Sequence, residues 1–209
     1  MPRRWGTGRV LAAVSASAVV GGVTLGGLAG AAVVAAGGTG GPDPLAPFDR
    51  WRALDPDDPI RGEVVYQDLT KQHRDGPVDY EQRPPVGGDH ASVWQDCGFY
   101  ASAVASEQAV HSLEHGAVWV TYDPELPEDQ LTALQELAAD NGYLLVSPLW
   151  GLPSPVVASA WGVQLELPSA GDRRLPAFVA RYQQGPQTPE PGAPCSGGTS
   201  SLPDPPPGA

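Results

Sequence analysis

All four histidines of this 209-residue chain, His73, His90, His111 and His115, fall within 43 consecutive residues. Imidazole is the commonest protein ligand for copper and zinc, and its nitrogens also carry protons near neutral pH. His111 and His115 stand four apart, the helical spacing that stacks two rings on one face and lets both reach one ion. Glu107 precedes His111 by four and Glu114 lies between the two histidines. At about 100° per residue these four side chains share about 100° of helix surface, while Val110 and Leu113 point elsewhere. Two alternatives exist for such a face. It is simply solvated, or its histidines cap carbonyls at the helix end, where positive charge suits the dipole. His90 tips the reading toward metal, because it follows Pro84-Pro85-Val86-Gly87-Gly88-Asp89, a rigid-then-flexible loop able to present a side chain. His73 sits in a similar polar loop. The expected site has His111 and His115 as ligands, His90 as the third, and Glu107, Glu114 or His73 completing or orienting it. The expected ion is copper or zinc.

Other chemistry fits less well. Methionine occurs only at position 1, so a thioether-rich Cu(I) carrier is not indicated. His111-Ser112-Leu113-Glu114-His115 satisfies H-x-x-E-H, a pattern in which two histidines hold zinc and the glutamate activates a bound water. Gly116 ends that helix at once, and the domain is small for a peptidase, so a metallohydrolase ranks as a second alternative and no catalytic residue is assigned. Metal storage, sensing or delivery fits better than catalysis. The rival from another class is a structural or protein-interaction module of the cell envelope, its histidines bonded to one another and to the backbone.

The elements that must position these side chains follow from periodicity. Val64 to Tyr66 reads as a strand, Ala101 to His115 as a helix stopped by Gly116, and Val118 to Tyr122 as a second strand. Pro127 to Ala139 is an amphipathic helix with Leu131, Leu134 and Leu137 inward, followed by a strand from Tyr143 to Val146. Val156 to Leu167 reads as one longer strand bent at Gly162, and Leu175 to Tyr182 as the closing helix. The expected fold is α+β, a single domain with one mixed sheet flanked by helices. Its order β-α-β-α-β-β-α matches a minimal thioredoxin-like topology.

Around that domain, expected over residues 60–197, the chain changes character. Residues 1–9 carry three arginines, and no charged residue follows from Val10 to Gly38, which is longer than the about 20 residues that span a bilayer. This stretch reads as a transmembrane anchor, with a cleaved signal peptide as the alternative given the small-residue site Ala29-Gly30-Ala31. Either way the basic end stays in the cytoplasm and the rest is delivered outside, and the anchor reading makes this a single-pass cell-membrane protein. Residues 39–59 form a Pro/Gly/Asp-rich linker, and 198–209 a tail too poor in apolar side chains to fold. Beyond residue 38 the chain has 9 basic against 24 acidic side chains, a formal charge of −15, so nucleic acid is excluded as a natural partner. Cys97 and Cys195, both in the exported part, are expected to form a disulfide.

Several separate motifs occur in order: Tyr80, the loop from Pro84 to His90, Cys97-Gly98-Phe99-Tyr100, Val110-His111-Ser112-Leu113-Glu114-His115-Gly116-Ala117-Val118, Ala160-Trp161-Gly162, and Pro189 to Cys195. Together they resemble a bacterial family known as domain of unknown function 3105, from about Tyr66 to Cys195. The resemblance implies an anchored extracytoplasmic domain and carries no activity with it.

Overall fold

The structure is a computed structural model that describes residues 60–203. The expected basic N-terminus, anchor and linker lie outside the described residues, as do positions 204–209 of the expected tail. Among the described residues no helix is long and apolar enough to cross a membrane.

Among the described residues, six strands and three helices make one mixed sheet flanked by helices: β1 (Glu63–Val65), β2 (Gly98–Phe99), α1 (Ser106–Glu114), β3 (Val118–Tyr122), α2 (Glu128–Ala139), β4 (Leu144–Pro148), β5 (Val156–Ala160), β6 (Val163–Leu167) and α3 (Arg174–Tyr182). The strand order is β1-β6-β5-β3-β4-β2. β3 and β4 are parallel, Val118 beside Leu144, which requires a crossover that α2 supplies. β5 and β6 form an antiparallel hairpin, and β5 lies antiparallel to β3. A parallel β-α-β unit is thereby joined to a hairpin, with α3 following.

Three local expectations change. The stretch expected as one long strand is two, because Gly162, at φ 71°, turns the chain back on itself and Ala160 pairs with Val163. The first helix starts at Ser106 rather than Ala101; Ala105 is extended, and Val104 buries against the sheet in place of a helical turn. The two-residue strand β2, too short to show periodicity, pairs parallel to β4.

Successive side chains of a strand face opposite ways, so this sheet has two interiors. Val118, Val120, Leu144, Val146, Ala158 and Leu165 pack with Leu134 of α2 and Phe178 of α3 on one side. Trp119 and Leu145 pack on the other with Val110 and Leu113 of α1 and with Trp161. The apolar face of α1 is committed to the sheet, which turns its histidines and glutamates toward the loops that cover it.

The end of α1 is closed by a glycine. Ala117 N–H donates to Ser112 O and Gly116 N–H to Leu113 O, both at 2.9 Å, the paired bonds of a Schellman motif. That motif needs a left-handed residue, and Gly116 has φ 91°. The Gln184 side-chain amide donates to the neighbouring His115 carbonyl.

Cys97 and Cys195 form the expected disulfide, with Cα atoms 5.4 Å apart. A closed loop of this length stabilises a fold by up to about 4.7 kcal/mol on the chain-entropy account. It also fastens the C-terminal segment as a strap over the end of α1. Glu190 N–H donates to Glu114 O at 3.0 Å, and Cys97 N–H donates to Cys195 O at 2.8 Å. The strap continues past residue 197, since Thr199 forms a bridge with Gln95 and its amide donates to Trp94 O at 2.9 Å.

Gly116→Ala should destabilise the domain by about 2–3 kcal/mol, from the left-handed backbone and the crowding of a new Cβ against Gln184 and Thr188. Urea unfolding of the two proteins side by side checks this.

Candidate metal centre

The site is built where two loop segments meet α1. His73 and His90 form an isolated parallel bridge, with Arg74 N–H donating to His90 O at 2.8 Å and His90 N–H to Gln72 O at 3.0 Å. Asp89 clamps the same two segments. Its carboxylate accepts from Gln72 N–H at 3.3 Å and from Arg74 Nη1 at 3.2 Å. The Thr70 hydroxyl first, then these two donors, hold its carboxyl below the usual carboxylate range. The segment that follows His90 is sewn to α1, as Ala91 N–H donates to Glu107 O and Gln95 N–H to Gln108 O. Two loop histidines are thereby set against a helix face that already carries a third.

Four of the six residues nominated from sequence converge. One donor atom each from His73, His90, His111 and Glu114 lies within 4.8 Å of the others. His111 and Glu114 are three apart on α1, so the helix contributes an i, i+3 pair to this cluster. Ring centroids stand 5.0 Å apart for His73 and His90, 4.8 Å for His73 and His111, and 4.9 Å for His90 and His111.

Glu107 and His115 stand outside this group of four, although the His115 ring packs edge-on against that of His111 at 4.6 Å. Glu107 Oε1 accepts from Val78 N–H at 3.0 Å, which fixes the loop rather than the cluster. His115 is the C-cap of α1; its Nδ1 is 2.7 Å from Pro194 O in the strap, and its Nε2 is 3.7 Å from Glu190 Oε2. Trp94 packs against both helix histidines, at 4.7 Å from His115 and 5.6 Å from His111.

Hydrogen bonding sets the chemical state of the rings. His90 Nδ1 lies 2.8 Å from Gly88 O and His111 Nδ1 lies 2.7 Å from Ala91 O. A carbonyl only accepts, so each Nδ1 carries the proton, and in the neutral ring each Nε2 presents a lone pair. Backbone-carbonyl support of one ring nitrogen is how metal-binding histidines are commonly oriented. Burial pushes the His111 imidazolium down to about 4; His115, His90 and His73 add to the effect, and the bond to Ala91 opposes it. The neutral, ligating form of His111 therefore prevails at pH 7.

His90 Nε2 and Glu114 Oε2 give the site its character. They are 2.8 Å apart, both side chains are at most 4% exposed, and His90 Nε2 nevertheless has no hydrogen-bond partner. A lone pair facing a carboxylate at that range is repulsive unless a cation, either a bound metal ion or an added proton, lies between them. Two donors bound to one ion at about 2.0–2.1 Å are separated by about 2.9 Å at a right angle and about 3.4 Å at the tetrahedral angle. Three imidazoles and one carboxylate make a group that could hold a metal ion.

Fold and site define an α+β domain carrying a three-histidine, one-carboxylate cluster against a single helix. The chain belongs to the family described as protein of unknown function (DUF3105), whose sequence profile matches residues 71–197. That span holds all four converging residues and both cysteines. No curated protein and no solved structure matches the chain.

Asp89 and Trp94 shape the site without having been singled out as site residues. The adjacency of Asp89 to His90 was a visible signal for the first, whereas nothing local marks a tryptophan that packs on histidines 17 and 21 residues further along the chain.

Because the folded pKa of His111 is near 4 and its ordinary value 6.5, the unfolded chain binds the extra proton between those limits. Its contribution to stability should therefore fall as pH drops from about 6.5 toward 4. Urea unfolding of chelator-treated protein at pH 7 and pH 5 should show a loss that is smaller in His111→Gln.

Proposed function

We propose that this is an extracytoplasmic metal-binding domain, tethered to the cell membrane by its N-terminal segment, that holds one copper or zinc ion through His73, His90, His111 and Glu114. Its role is storage, sensing or delivery of the ion. The observation that carries the reading is the convergence of four donors within 4.8 Å, in which His90 Nε2 and Glu114 Oε2 face one another buried and without a hydrogen bond between them. Nitrogen-rich mixed donor sets favour Zn(II) and Cu(II) over harder ions such as calcium or magnesium, which take oxygen.

The hydrolase alternative loses ground on geometry. It needs both histidines of the H-x-x-E-H segment on one ion, and the group of four donors includes His111 but not His115, whose Nε2 lies 3.7 Å from Glu190 Oε2. Glu114, the residue it would use as a base, stands among the donors. The thioredoxin-like reading of the fold is supported in part by the succession β3-α2-β4-β5-β6-α3, but no helix stands between β4 and β5 among the described residues, and β1, expected to open the β-α-β unit, pairs antiparallel with β6 at the sheet edge. The two cysteines, 98 positions apart and joined to each other, lack the C-x-x-C spacing of a redox pair.

A structural module remains the reading from a different class, favoured by the carbonyl bonds that hold three of the four rings. The two separate cleanly. Elemental analysis of the full chain, purified without a polyhistidine tag, should give about one equivalent of copper or zinc, lost in His90→Ala. Bound ion should raise the melting temperature, since ligand at 100 times Kd stabilises by about 2.7 kcal/mol, and chelation should reverse the gain. A chain that is metal-free, refuses added copper and zinc, and melts identically with and without chelator would establish the structural module.

A further inference from the structure

The four donors are not held alike, and the difference falls on one residue. His90 and Glu114 side chains are 0% and 4% exposed, and His111 is 4% exposed, whereas the His73 side chain is 50% exposed. His90 and His111 are each locked through Nδ1 to a backbone carbonyl. Neither ring nitrogen of His73 has a hydrogen bond among the described residues. Its Nε2 stands 3.8 Å from Glu114 Oε2, against 2.8 Å for His90. Its ring is kept in place by stacking on His111 at an interplanar angle of 28°, and its backbone by the bridge to His90.

Resting on the metal reading of this cluster, we propose that His73 is its exchangeable ligand. The ion enters and leaves by substitution at the His73 position, where an incoming neutral nitrogen donor of the imidazole class takes the place of its ring. Displacing His90 or His111 would break a carbonyl bond and leave a buried vacancy, while Glu114 would become a buried unpaired carboxylate; each outcome is costly. Swinging His73 into solvent breaks one metal bond and one ring stack. Three fixed donors then retain the ion and expose one coordination position to water, the arrangement that lets an ion be handed on rather than trapped.

Chemical rescue tests this on the full chain loaded with Cu(II). His73→Gly should keep about one equivalent and release it to a competing chelator about tenfold or more faster than wild type, the scale by which loss of a supporting group weakens a site. Millimolar imidazole should slow that release and restore the wild-type nitrogen hyperfine pattern in the electron paramagnetic resonance spectrum. His90→Gly, its ring replaced by a cavity closed to solvent, should lose copper and not respond to imidazole; circular dichroism of both variants reports that the fold is kept. His73→Gly with wild-type spectrum and release rate would show that His73 is not a ligand and overturn the inference. Loss of copper from His73→Gly without rescue would make it a fixed ligand and overturn it equally. A wild-type chain that takes up no copper or zinc removes the metal centre itself, a result distinct from either.

Discussion

Glu114 is a carboxylate at the closed end of α1, 3% exposed, with the helix dipole's negative end behind it. An anion in that position is stabilised only by positive charge or strong donors, and leaving it unpaired costs several kcal/mol. The surrounding architecture answers this one constraint. Two loops bring imidazoles to it, a third imidazole rises from the preceding helical turn, and no arginine or lysine forms an ion pair with it among the described residues. A cation shared among the four donors would resolve the electrostatics that neutral rings alone leave open.

The remaining structure serves to keep that arrangement from relaxing. The Schellman turn at Gly116 stops α1 directly after its last donor, so the helix cannot carry Glu114 outward. The strap bonds the Glu114 carbonyl through Glu190 N–H and the His115 ring through Pro194 O, and the disulfide fastens the strap. Behind the helix, Val110 and Leu113 are fully buried against Trp119 and Leu145, which fixes the rotation of α1 about its axis. An apolar contact on one face thus sets the aim of the polar groups on the other, because a helix that is rigidly packed has no freedom to turn.

Long periodic segments were legible: the alternation of β3 and the leucines of α2 announce themselves because each segment buries one face and repeats the pattern several times. Leu134 is buried, and Leu131 and Leu137 pack partly buried against the same core. What misled was local. Val156 to Leu167 reads as continuous alternation, yet the Gly162 turn folds it into a hairpin. Residues 101–105 have helix-compatible side chains, yet Ala105 is extended and Val104, outside the helix, is buried against the sheet.

For the site, the sequence by itself determined the candidate set: four histidines in one short stretch, two glutamates on the helix, and a disulfide between the only two cysteines. It did not decide which members meet. Helical spacing favours His111 with His115, because side chains four apart share a face. In the folded chain the His115 ring still packs against His111, but its Nδ1 is bonded to the strap and it is not among the four converging donors, while Glu114 turns toward the loops that carry His73 and His90. Those partners are separated from Glu114 by up to 41 positions and are placed by backbone bridges and carbonyl bonds that have no signature in residue type. Periodicity records the face a side chain occupies on its own element, and only tertiary packing settles what stands opposite it.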